Sequence, residues 1–197
     1  MIPLDEIVTP DLREFIKEHK GDPWVGTPVE DYVYLVSGQK GKFGEKFVEN
    51  YMTHLGYTVE ERHNGDPGHD RIIDGKKIEI KFSIANKVNG VPRKDRYLIN
   101  HISLSKDWDR LIFFGINPVY EESRFLFFDK NDFEKNIQNL KDMKIISHQQ
   151  SGNNGGNDDY VVQKNKVPKL HSQPWVYDIH DWNKSGEVTK NNSEGLW

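Results

Sequence analysis

Asp70, Glu79 and Lys81 are the residues of this chain whose types and spacing best suit chemistry. Asp70 leads a short apolar run, Arg71-Ile72-Ile73. Asp74-Gly75 follows, and Lys77-Ile78-Glu79-Ile80-Lys81-Phe82 then alternates charged and apolar residues. Asp and Gly tolerate the positive φ of a tight hairpin turn. Strand side chains alternate, so Ile78, Ile80 and Phe82 point one way and Lys77, Glu79 and Lys81 the other. If the loop is Asp74-Gly75 alone, Asp70 lies opposite Glu79. If the loop runs from Asp74 to Lys77, Ile73 faces Ile78 and Asp70 faces Lys81. The longer loop pairs the isoleucines better and is slightly preferred. Either even loop places Asp70, Glu79 and Lys81 on one face, whereas a three-residue loop would not.

Two facing carboxylates cost free energy unless something neutralises them, and a divalent cation does so. Oxygen-only donors favour magnesium, which keeps several waters and leaves room for a phosphate; manganese is expected to substitute. The main-chain carbonyl of Ile80 adds a donor. Lys81 is placed to hold or help deprotonate an attacking water, or to stabilise charge in the transition state. The bland alternative is a solvated face of an amphipathic hairpin. Glu79-Ile80-Lys81 alone favours that alternative. The upstream Asp70, the turn and the helix before them favour the chemical reading.

That helix is marked by Phe43, Phe47, Val48, Tyr51, Met52 and Leu55 at helical spacing, with Gly56 to end it. Glu45 lies at the margin of the apolar stripe, and Glu49 projects closer to the solvated side. Glu45 is therefore the better candidate for a third acid, although it equally complements the helix N-terminal dipole.

Asp70 followed by Glu79-Ile80-Lys81 resembles the active-site signature of the PD-(D/E)XK nuclease superfamily, and Gly41 to Tyr51 resembles the helix that precedes it there. The resemblance spans about residues 41 to 116. It departs at His69, which stands where a proline is usual, with the proline displaced to Pro67. The resemblance implies magnesium held by Asp70, Glu79, Ile80 and Glu45, and hydrolysis assisted by Lys81. It also implies an α/β fold, a central mixed β-sheet flanked by helices, restriction-endonuclease-like.

The 197 residues suit one nuclease domain over 1–182, with a catalytic core of about 41–140 and a flexible tail over 183–197. Thr9-Pro10-Asp11 opens a helix to about His19. Thr27-Pro28-Val29-Glu30 reads as a capping box opening a helix that ends near Ser37-Gly38. Strands are expected over 57–62, 101–104, 111–116, 124–128 and 175–179, the third buried on both faces. Asp129 caps a helix to about Leu140, and 151–159 reads as a flexible loop.

The net charge of −4 and pI near 6.1 argue against an indiscriminate nucleic-acid binder, so local basic clusters matter more than the total. Lys87, Arg93, Lys94 and Arg96 cluster after the second hairpin strand and are expected to attract DNA phosphates, with His69 beside the first strand. Lys164, Lys166 and Lys169 form a second cluster. There are no cysteines, no His-Glu-x-x-His pair, no Gly-x-Ser-x-Gly elbow and no Walker A loop. No apolar run is long enough to span a bilayer and no signal peptide is visible, so a cytoplasmic, prokaryotic or phage setting is expected. The expected activity is a type II restriction endonuclease, acting as a homodimer on double-stranded DNA. The alternatives are a Holliday-junction resolvase, a phage or repair nuclease, and, from another class, a non-catalytic DNA-binding module.

Overall fold

The hairpin closes on two residues. The computed structural model describes residues 9–19, 24–62, 68–85, 96–149 and 158–183. In it β2 (Arg71–Ile73) pairs antiparallel with β3 (Lys76–Ile84), placing Ile73 opposite Lys76 and Arg71 opposite Ile78. Asp74 and Gly75 form the turn at φ 47° and 73°, the type I′ combination that matches strand twist. The preferred four-residue register is thus overturned. Contacts remote in sequence decide it. Asp74 Oδ1 accepts from Thr58 N at 2.9 Å, and the Asp74 N–H donates to the Thr58 carbonyl at 3.0 Å. Lys77 is held in the strand by Asp109, whose carboxylate accepts the Lys77 N–H at 2.8 Å.

A six-stranded sheet is built around this hairpin in the order β1-β2-β3-β5-β6-β9, where β1 is Val59–Glu61, β5 Arg110–Ile116, β6 Arg124–Asp129 and β9 Tyr177–Asp178. Only β3 and β5 run parallel, so the sheet is mixed. A second, antiparallel sheet has the order β4-β8-β7, from β4 (Arg96–Ile102), β7 (Ile146–Gln149) and β8 (Asp158–Gln163). The helices are α1 (Pro10–His19), α2 (Ser37–His54), α3 (Lys130–Asp142) and α4 (Val167–His171). An α/β fold with a central mixed sheet between helices is what the sequence predicts.

The central sheet buries both faces. On one, Val48 and Met52 of α2 pack against Ile78, Ile80, Ile112, Phe114 and Phe127. On the other, Leu111, Phe113, Leu126 and Phe128 meet Phe133, Ile137 and Leu140 of α3 and Tyr97 and Val162 of the small sheet. Each such side chain contributes about 1.5–3 kcal/mol of hydrophobic stabilisation. α2 comes so close to β3 at Gly44 that a Cβ there would sit 2.5 Å from Phe82 Cβ.

Several boundaries differ from expectation. The Thr27–Glu30 box opens only a 3-10 turn, Glu30–Tyr34, because Glu30 Oε2 takes the Gly26 N–H at 2.7 Å and the Thr27 hydroxyl donates back to the Trp24 carbonyl. α2 therefore starts at Ser37, where Gln39 Oε1 accepts the Val36 N–H, and Gly56 at φ 90° follows its end. β4 begins at Arg96 rather than at His101, which instead sits at φ 59° in a bulge. Asp158 and Asp159 start β8 rather than ending a loop. The last strand shrinks to Tyr177–Asp178, because Asp178 caps a following 3-10 turn through the His180 N–H. The loop over 151–157 and the tail over 184–197 lie outside the described residues. Among the described residues no helix is long and apolar enough to cross a membrane.

Candidate active site

Asp70 stands in a bend one step before β2, beside the Arg71–Ile78 pair that ends the register. Its N–H donates to the Ile78 carbonyl at 2.8 Å and its Oδ2 accepts the Ile80 N–H at 2.8 Å. Beyond Arg71, therefore, a carboxylate rather than another strand residue takes the next amide of the β3 edge. A strand residue presents its N–H and C=O to the same edge, so the Ile80 carbonyl lies on the side of Asp70. Glu79 and Lys81 share the opposite face of β3 from Ile78 and Ile80, and the Lys81 ammonium donates to Glu79 Oε1 at 2.6 Å.

Glu79 is 3% exposed. Burial pushes its carboxyl above the usual range, the Lys81 ammonium pulls it down, and the Asp70 charge pushes it up again, for a net rise. Lys106 pulls weakly downward from the loop before β5. The geometry brings together Asp70, Glu79, Lys81 and the Ile80 backbone, with Lys106 as a neighbour that the sequence did not single out.

Among the described residues no three His, Asp or Glu side chains gather as a metal cage. The donor set is two carboxylates and a carbonyl. Such a set fits a hard cation that keeps most of its waters, as magnesium does.

Glu45 is elsewhere. Arg71 pairs with Ile78 and so shares its α2-facing side of the sheet. Its Nη1 donates to Glu45 Oε2 at 2.9 Å and to the Asp70 carbonyl at 2.8 Å, and its Nε donates to Glu49 Oε2 at 3.3 Å. Glu49, expected near the solvated side, is thus turned to the sheet, and it also pairs with Lys46. Hydrogen bonds from Lys46 and then Arg71 hold the Glu49 carboxyl below its ordinary range, against the opposing effect of burial. Sequence reasoning missed Arg71. Its signal was its place beside Asp70, one step out of phase with the acids and so on the helix side.

Lys87, Arg93 and Lys94 lie outside the described residues. Arg96 opens β4 opposite Gln163, with its Nε buried. His69 is buried, so a contact with phosphate requires the 68–70 segment to open. That segment is tightly seated: a Cβ on Gly68 would meet the Asp107 backbone at 2.9 Å. Asp107 in turn pairs with Lys77, on the same face as Glu79. Lys164 pairs with Glu122 at the rim of a cleft of about 450 Å³, lined also by Tyr97, Arg124 and Gln163, and neither Asp70, Glu79 nor Glu45 lines it.

The sequence matches no family model and no curated protein. The solved structures it resembles in fold include two nucleases. One is a bacterial homing endonuclease, I-Ssp6803I, at 12% identity and TM-score 0.43, covering 80% of this chain and 95% of that one. The other is a restriction endonuclease in complex with substrate DNA, at 13% identity and TM-score 0.42, covering 89% of this chain and 88% of that one.

Proposed function

We propose that this chain is a magnesium-dependent, sequence-specific endonuclease of double-stranded DNA, of the type II restriction kind. The observation that carries this reading is a buried carboxylate, Glu79, hydrogen-bonded to Lys81 and next along β3 to Ile80, whose N–H holds the Asp70 carboxylate. A structural pair in the core would have no need of a second acid. A solvated hairpin face would not bury Glu79.

Asp70 and Glu79, with the Ile80 carbonyl, would hold the cation. When bound, magnesium neutralises the phosphate and lowers the pKa of the attacking water. Lys81 leaves Glu79 Oε1 to hold the attacking water, whose oxygen bonds to phosphorus as the bond to the leaving sugar oxygen breaks, and it offsets the negative charge that develops. Ile80 fixes Asp70 through its N–H, so one carboxylate oxygen is oriented before substrate arrives. Lys106 adds positive charge beside the same edge. Basic residues Lys87, Arg93, Lys94 and Arg96 follow β3 in sequence and supply phosphate attraction. One such site per chain cuts both strands when two copies bind a palindrome, so a homodimer is the working form. Manganese replaces magnesium.

The test is cleavage of long unmethylated duplex DNA with magnesium, alongside Glu79→Ala. Discrete fragments from the wild type alone are expected. A smear or nicking retains the nuclease and removes site specificity. Cleavage of four-way junctions alone makes it a resolvase. No cleavage of any substrate with either metal, while duplex binding persists, makes it a binding module.

A further inference from the structure

Arg71 joins three acceptors at one guanidinium. Nη1 bridges Glu45 Oε2 and the Asp70 carbonyl, and Nε reaches Glu49 Oε2. The Arg71 side chain is 13% exposed, while those of Glu45 and Glu49 are 32% and 20% exposed, so the cation lies beneath the acids against β2. We propose that Arg71 is a positioning residue for Asp70, and that Glu45 serves the site through Arg71 rather than as a third metal ligand, leaving one divalent cation per chain. This inference rests on reading Asp70 and Glu79 as the metal pair.

Three physical points carry it. First, the planar guanidinium fork fixes direction as well as charge, which an ammonium does not. Second, the Asp70 backbone is pinned on both sides, by Ile78 at its N–H and by Arg71 at its carbonyl. Its carboxylate turns toward the β3 edge, where Oδ2 accepts the Ile80 N–H. Third, Glu45 is already engaged, because its Oε2 accepts from the same Arg71 Nη1 that holds the Asp70 carbonyl, and moving it to a metal would break that bridge. The helix acids are therefore joined to Asp70 through Arg71, at the Asp70 backbone.

The experiment titrates the full chain with manganese by calorimetry, for the wild type, Glu45→Gln, Arg71→Lys, Arg71→Ala and the Glu45→Gln/Arg71→Ala pair. Asp70→Ala is the reference for the site. Amide exchange at Ile80 is measured without metal on the same proteins. One ion per wild-type chain is expected, and Glu45→Gln keeps that stoichiometry. Arg71→Ala weakens affinity about 10- to 100-fold, the scale for a group that orients a ligand. Arg71→Lys does not restore it. The double variant is no weaker than Arg71→Ala, because Glu45 acts only through Arg71. Ile80 exchanges faster in both Arg71 variants.

Two ions in the wild type with one lost in Glu45→Gln would overturn the proposal, as would additive losses in the pair or rescue by Arg71→Lys. If the wild type binds no ion at all, the metal reading and the one-ion stoichiometry fall together. Ile80 exchange then still decides the positioning role, and unchanged exchange refutes it even where metal binds. Should Arg71→Ala fail to fold, Arg71→Lys and Glu45→Gln carry both measurements.

Discussion

The two faces of β3 are buried almost alike and do opposite things. Ile78 and Ile80 are sealed beneath α2, at 0% and 7% exposure. One residue out of phase, Glu79 is sealed at 3% with a carboxylate instead of a methyl group. The first face contributes stability through apolar area. The second costs stability through a carboxyl that burial and the nearby Asp70 both disfavour in its charged form, with Lys81 giving back only part. A strand that places a cost beside a gain is what an active site on a packed scaffold needs. The apolar face holds the backbone still, and on the proposed reading the charged face would receive the cation. Side chains at alternate positions should therefore separate function from stability.

The largest effects belong to the charged face. Asp70→Ala and Glu79→Ala should abolish cleavage while leaving duplex binding largely intact, read by fragment yield and by a mobility shift on one substrate. Lys81→Ala should lower the single-turnover rate by about a hundred- to a thousand-fold, the scale for removing one preorganised donor to developing charge. Glu79→Ala, which removes the disfavoured carboxylate itself, should lower the urea midpoint little. Full activity in Asp70→Ala would sink the site. Ile78→Ala should do the reverse. A buried isoleucine truncated to alanine costs about 2–5 kcal/mol, and the fraction that remains folded should cut at close to the normal rate.

Much of this division was legible in the residues. Alternation from Lys77 to Phe82 with Asp74-Gly75 before it fixes a hairpin and its two faces, because strand periodicity and turn chemistry are local. The register was less legible. Isoleucine matching favoured the longer loop, but Thr58 and Asp109 hold the shorter one, and their approach is tertiary. The partner of Glu45 was hidden for the same reason, since it depends on how α2 crosses β2. The small sheet was hardest to see. β7 is four residues and β8 six, and their alternation is too brief to stand out beside an Asn- and Gly-rich stretch.

A smaller effect should come from the contact between the apolar face and α2. Gly44→Ala places a methyl 2.5 Å from Phe82 Cβ and 3.0 Å from its Cγ. Phe82 Cβ is anchored to the strand and cannot turn aside, so α2 must lift from β3. Overpacking of this kind costs about 1–3 kcal/mol against the helix propensity that alanine adds. Chemical denaturation should show the loss, and a stabilised Gly44→Ala would mean that α2 sits further from β3.

The smallest effect has the most specific sign. Because the folded state raises the Glu79 carboxyl above its unfolded value, the neutral form suits the fold better than the charged one. Glu79→Gln should therefore stabilise the metal-free protein near neutral pH, by about 1 kcal/mol on the scale of relieving a poorly compensated buried charge. For the wild type in chelator, the contribution of the neutral carboxyl is complete below the unfolded value. It is lost as pH rises through the raised folded value. Thermal midpoints of wild type and Glu79→Gln should accordingly converge in acid and part toward neutrality, with the variant higher. Magnesium should invert the order, since it raises the midpoint of a chain that binds it and leaves unmoved one that does not. A glutamine variant less stable than the wild type in chelator at neutral pH would mean that Lys81 fully compensates Glu79, and the two faces of β3 would then no longer differ in sign.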